Sequence, residues 1–228
     1  LAEAAGPAAS RGGRRSTLVD LSSEVRFVGI AIGATAMSVA VTDGRLTVLG
    51  QRYVDMDVRL GPEHVLATSL ELTRKVLAEQ GVDRPAGVGI GVPGPVDFHG
   101  GAPVSPPIMP GWDGYPVRDA MARELGCPVL FDKDVNVMAL GEQHSGVAKS
   151  ARDFLFVKIG TGIGCGVVVD GQLYRGVDGS SVLDCPEVVS ALKHSTDLNA
   201  KKSHRAYGDA FRACADRHAH LQHSPYRG

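Results

Sequence analysis

The sequence predicts an α/β protein: a mixed β-sheet flanked by helices, followed by the incomplete start of a second, related lobe. Three observations predict it. Strand-like runs alternate with stretches of helical period. Glycines, 29 of 228 residues against a usual share of about 7%, punctuate those runs. A strand–turn–strand pattern at residues 26–44 recurs at 154–171.

Taken in order, RFVGIAIG (26–33), MSVAVTDG (37–44) and RLTVLGQRYV (45–54) are β-rich runs, and Asp43-Gly44 is a hairpin signal. Residues 63–81 place Val65, Leu66, Leu70, Leu72, Val76 and Leu77 mostly on one helical face, with Pro62 at the start and Gly81 at the end. AGVGIGV (86–92) is an apolar strand, and 100–114 is a Gly/Pro-rich loop. A helix at 117–126, a buried strand at 128–132 and a helix at 135–146 closed by Gly146 follow. FLFVKIG, CGVVVDG and the hairpin-like GQLYRGVDG then begin the second lobe. The boundaries are therefore 1–25 as linker or tail, 26–150 as first lobe, 151–181 as the start of the second, and 182–228 as an atypical tail. That tail holds five of the eight histidines and no apolar sheet, although 182–194 and 206–221 have the character of short helices.

Composition narrows the function classes. Lys+Arg is 24 against Asp+Glu 25, a net charge of −1, which excludes a globally basic nucleic-acid coat. Arg11, Arg14 and Arg15 read as a solvated arm. Cys127, Cys165, Cys185 and Cys214 have no paired spacing, so neither a disulfide framework nor a zinc knuckle is expected. Cys214 and His218 stand at helical spacing, but two ligands are too few for a structural zinc. No apolar run reaches the length of about 20 residues that a membrane span requires, and no signal peptide is expected. The expectation is a cytoplasmic protein without membrane partners.

Four motifs carry chemistry. GIAIGATAM (29–37) bends at Gly33 and Thr35, either as a tight turn or as a backbone approach to phosphate. KIGTGIGCG (158–166) sets Gly160, Gly162 and Gly164 around Thr161, again suited to cradling phosphate. LFDKDVNVMALGE (130–142) carries Asp132 and Asp134 from a strand into a helix. Helix capping is the simpler reading for Asp132, while capping and general-base chemistry are both open for Asp134. GIGVPGPVD and SPPIMPGW frame a rigid loop in which Trp112 either lines a sugar or seals the loop.

In this order and spacing, GIxIGxT, GIGVPGPVD, PxxPGW, DxDxNxxALGE and GTGIGxGVVxxGxLxxG resemble the ROK family of bacterial sugar kinases and sugar-responsive repressors over residues 26–180. The resemblance implies an actin-like, hexokinase-like (ribonuclease H-like) fold with sugar and ATP meeting in a cleft. It puts Asp134 at the catalytic base, Lys133 and Asp134 at the sugar, and Gly33, Thr35, Gly160, Thr161, Gly162 and Gly164 at the phosphates. It also implies pairing between copies.

The departures matter as much. Where kinases of the family carry an acidic and a basic residue in the first loop, this chain has Ala31 and Ala36, and Lys133 replaces an Asn. Losing one preorganised electrostatic contact costs about 100- to 1000-fold in rate, so little phosphoryl transfer is expected. The family's Glu-x-x-Gly-His segment and cysteine knuckle do not follow Gly179, and the tail reads as sequence unrelated to the family. GRRSTLVDLSSEVRFVGI resembles the repressors' linker after a winged helix-turn-helix. The expectation is the effector-binding portion of a regulator, responsive to a sugar or sugar phosphate, touching DNA only through a domain absent from this chain. The alternative is an ATP-dependent sugar kinase using Mg2+, with Asp134 as base. No metal site of its own is expected.

Overall fold

A computed structural model describes residues 2–7, 17–159, 161 and 163–175. The expected helices at 182–194 and 206–221, together with Gly160, Gly162 and the tail, lie outside the described residues. Where the sequence led to an irregular arm, β1 (Ala2–Pro7) and β2 (Thr17–Leu21) pair antiparallel, with a register shift between Ala4 and Gly6. That ribbon rests on main-chain hydrogen bonds, so no apolar alternation announces it.

The first sheet comes from β3 (Phe27–Ile32), β4 (Ala36–Thr42), β5 (Val48–Asp55), β6 (Gly87–Val92) and, after a small ribbon β7 (Val96–Asp97) and β8 (Ala102–Pro103), β9 (Val129–Lys133). Its strand order is β5-β4-β3-β6-β9. The three opening strands are antiparallel, and β6 and β9 add parallel to β3. β5 starts later than its apolar pattern suggested. The Asp43 carboxylate accepts from the amides of Arg45 and Thr47, and Leu46 sits at φ 63°, which makes a wider loop than a two-residue hairpin.

Alternation sorts the two faces. Val28, Ile30, Ile32, Met37, Val39, Val41, Val88 and Ile90 are buried on one side. Against them lie α1 (Pro62–Glu79), through Val65, Leu66, Val76 and Leu77, and α2 (Val117–Leu125), through Val117, Met121 and Leu125. α1 ends just before Gly81, as expected, while α2 stops one residue short of the expected 126, with Gly126 in the left-handed region at φ 64°. Trp112 is fully buried, and its Nε1 donates to the Val58 carbonyl at 3.0 Å. It seals the loop.

The other face of the first sheet carries small residues at Gly29, Ala31, Ser38, Gly89 and Gly91 in its central strands, and beside them α3 (Asp134–Ser145) begins. The second sheet, β10 (Phe154–Ile159), β11 (Ile163–Val169) and β12 (Gln172–Tyr174), is antiparallel throughout. Its β11–β12 connection is Asp170-Gly171, both at positive φ (56° and 77°), as a primed hairpin turn requires. α3 touches both sheets. It can do so because three glycines leave room. A Cβ on Gly91 would stand 3.3 Å from Asp134 Cα, one on Gly164 would meet Val135 Cγ1 at 2.8 Å, and one on Gly166 would collide with the Val135 carbonyl oxygen.

Gly166→Ala must therefore push β11 off α3. It is expected to cost about 1–3 kcal/mol in chemical denaturation. Gly141→Ala, in an open part of the same helix with nothing within 4 Å of its Cβ position, is expected to gain about 0.5–1 kcal/mol. Equal effects at the two positions would contradict the packing argument.

Candidate functional site

Backbone register places the site. Across β4, β3, β6 and β9, Ser38 lies opposite Ala31, Ala31 opposite Gly91, and Gly91 opposite Asp132. This row crosses the carboxyl ends of the parallel strands β3, β6 and β9, the place where open α/β sheets hold ligands. It runs from small side chains to a carboxylate. β9 then passes straight into α3, with Lys133 as the extended N-cap residue (φ −64°, ψ 144°). Asp132, Lys133 and Asp134 thus occupy the strand-to-helix switch, and their exposures are only 4%, 5% and 8%.

Burying three charged residues in succession is costly unless each is compensated. Asp132 Oδ1 accepts from the Lys133 amide and from Asn136 Nδ2, both at 2.7 Å, and its Oδ2 accepts from Arg175 Nε at 2.9 Å. The Arg175 guanidinium also stacks 3.9 Å above the Phe98 ring. Asp134 Oδ1 accepts from the Val135 amide at 2.7 Å, and its Oδ2 accepts from Lys158 Nζ at 2.5 Å. Each carboxylate therefore receives a cation from the second sheet or its edge. Burial pushes the Lys133 ammonium below the usual lysine value of 10.5, against the pull of Asp132, Cys165 and Asp134. Asn136 is fully buried, and its Oδ1 has no hydrogen-bond partner among the described residues.

The capping reading of Asp132 needs correction. The amide it binds belongs to the N-cap residue, outside the helix, and its remaining bonds go to Asn136 and Arg175. Asp134 is the first helical residue and takes a first-turn amide with one oxygen, leaving the other for Lys158. Gly33 closes the β3–β4 turn, donating its amide to the Ala36 carbonyl at 2.7 Å. The Ala34 and Thr35 carbonyls accept from Val58 and Met56. The Gly33 amide is thus spent on the turn in this arrangement. Thr161 is exposed between β10 and β11, and Gly164 faces Val135, where its missing Cβ serves helix packing.

Sequence reasoning missed Lys158, Arg175 and Phe98. A signal existed for Lys158, a cation ending an apolar strand beside the glycine turn. Nothing in the sequence pairs Arg175 with Phe98. As for a metal–phosphate group, Ala31 brings a methyl to the row where a carboxylate would be required. Among the described residues, no three His, Cys, Asp or Glu side chains gather to hold a cation. The residues present at the first hairpin do not fit such a group.

Comparison with known proteins agrees with this architecture. The chain is 29% identical over 173 residues to the xylose repressor of Caldicellulosiruptor bescii, covering 75% of this chain and 43% of that protein. It is 32% identical to the glucokinase of Thermotoga maritima, covering 68% of this chain and 48% of the relative. The chain thus spans about half the length of the relatives it matches. Among solved structures, the ROK hexokinase from Thermus thermophilus superposes with a TM-score of 0.59 at 34% identity, over 68% of this chain and 50% of that one. The hexokinase-like α/β fold expected from the motifs holds over that part. A model of the ROK family matches residues 27–182, and the chain belongs to the ROK family.

Proposed function

We propose that this chain is the effector-binding portion of a sugar-responsive transcriptional regulator acting in the cytoplasm. One observation carries the reading: the carboxylate at the position of the family's base is held by Lys158, while the first hairpin offers Ala31 in place of an acidic group. Such a site retains groups that recognise hydroxyls. It lacks the charge neutralisation on which phosphoryl transfer depends. The repressor relative supports the same direction, and the glucokinase relative shows that the family also contains enzymes.

The three described helices cover or bridge the sheets, so in this reading the contact with operator DNA falls to another part of the regulator. Among the described residues, no helix is long and apolar enough to cross a membrane.

The test is a panel of pentoses, hexoses and their phosphates added to the full chain, with thermal unfolding and ADP release read in parallel. An effector raises the unfolding midpoint, since a ligand at 100 times its Kd stabilises by about 2.7 kcal/mol. ADP stays at the blank. Turnover of about 1 per second or faster with any sugar contradicts the regulator reading. Asp134→Ala, by removing a hydrogen bond to a charged acceptor, is expected to weaken effector binding about 10- to 100-fold. Unchanged affinity on calorimetric titration would place the ligand elsewhere.

A further inference from the structure

Two ion pairs tie the second sheet and its edge to the strand-to-helix switch, and they are not built alike. Arg175 is held twice, with its Nε 2.9 Å from Asp132 Oδ2 and its guanidinium 3.9 Å above the Phe98 ring. Asp132 in turn has the Lys133 amide and Asn136 Nδ2 as further donors. Lys158 is held once. Among the described residues, Asp134 Oδ2 at 2.5 Å is its one hydrogen-bond partner. Lys158 also stands outside the signature GTGIGxGVVxxGxLxxG, which begins two residues later.

The two members of this pair differ in their access to water. The Asp134 side chain is 10% exposed and that of Lys158 is 36% exposed, so the ammonium lies on the solvent side of the carboxylate. The other carboxylate oxygen is taken by the Val135 amide. A hydroxyl that approaches Asp134 from solvent therefore meets Lys158 first. Moving the ammonium costs little, because its four-carbon stem is flexible and water solvates the charge. Leaving the buried carboxylate without a donor costs more. A group that displaces Lys158 must bring a hydrogen bond of its own, and a sugar hydroxyl does.

We infer that Lys158 is a built-in competitor of the effector, an internal cation that covers Asp134 until a ligand hydroxyl takes its place. The inference rests on the effector-binding reading above and adds how that site is regulated. In the exchange the ammonium swings out to solvent, while β10 keeps its ladder with β11. Lys158 is thus a positioning residue that acts through Asp134, and its charge lowers the affinity of the site.

The experiment titrates the full chain calorimetrically with xylose and with glucose, and repeats both titrations on Lys158→Gln and Lys158→Arg. At least one sugar is expected to bind Lys158→Gln about tenfold more tightly than the unaltered chain, since no hydrogen bond to a charged group is displaced. Lys158→Arg keeps the cation and should bring the affinity back. Without sugar, Lys158→Gln should unfold at a lower temperature than the unaltered chain, yet sugar should raise its midpoint further. A merely structural role would weaken folding and binding together. Nitrogen-labelled lysine side chains give a readout that needs no neutral variant. The hydrogen-bonded signal of Lys158, assigned by its absence from Lys158→Arg, should vanish from the unaltered chain at saturating sugar. Equal or weaker binding to Lys158→Gln, or a Lys158 signal unchanged at saturation, would overturn the inference and leave the effector reading standing. Absence of binding by both sugars to all three chains would also overturn it, and the wider panel above then decides the effector reading by itself.

Discussion

The close approach of α3 to both sheets is the constraint from which the rest follows. Val135 can press against β11 only because positions 164 and 166 lack a Cβ, and Asp134 can sit over β6 only because position 91 does. Were these alanines, the helix would retreat by a few tenths of an ångström or more, and the cations of the second sheet would no longer reach the carboxylates at its start. Gly164, one of the glycines expected at a phosphate loop, thus also serves packing. That packing fixes the distance across which Lys158 meets Asp134.

Once α3 is pinned, the electrostatics are largely determined. Asp132, Lys133 and Asp134 cannot be buried as bare charges, and each compensating partner comes from a different element. Lys158 comes from β10, Arg175 from the residue after β12, and Asn136 from the first turn of α3. Arg175 adds Phe98 from the loop after β7, so this corner of the molecule is tied at several independent points. Ion pairs of this kind add little net stability when partly exposed. Their value lies in fixing geometry, and a ligand that competes for Lys158 or Arg175 acts on the contacts that hold the second sheet to the first.

Much of this was legible in the sequence, for identifiable reasons. The β-rich runs at 26–33 and 37–44 marked the first strands of the sheet, and Pro62, Gly81 and Gly146 marked helix ends. Asp134 stood out because a carboxylate leaving a buried strand is unusual. The hidden parts have physical causes too. The β1–β2 ribbon is made of main-chain bonds, which leave no side-chain period. Asp43-Gly44 read as a hairpin and β4 and β5 do pair there, but the sequence did not show that the Asp43 carboxylate takes two amides and widens the loop. The pairings of Arg175 with Asp132 and of Lys158 with Asp134 join residues 43 and 24 positions apart, and no local pattern records such a distance. At Gly164 packing and ligand approach require the same missing atom, so the sequence alone does not separate them.

The central claim is that the strand-to-helix switch, held between the two sheets, is the place where an effector acts. Amide hydrogen exchange on the full chain, with and without a saturating effector, tests it most directly. The account predicts that added protection concentrates at residues 132–139 of the switch and 158–169 of the second sheet, while the amides of α1 and α2 keep their rates. Protection that appears on α1 and α2 instead, with the switch unchanged, would contradict it.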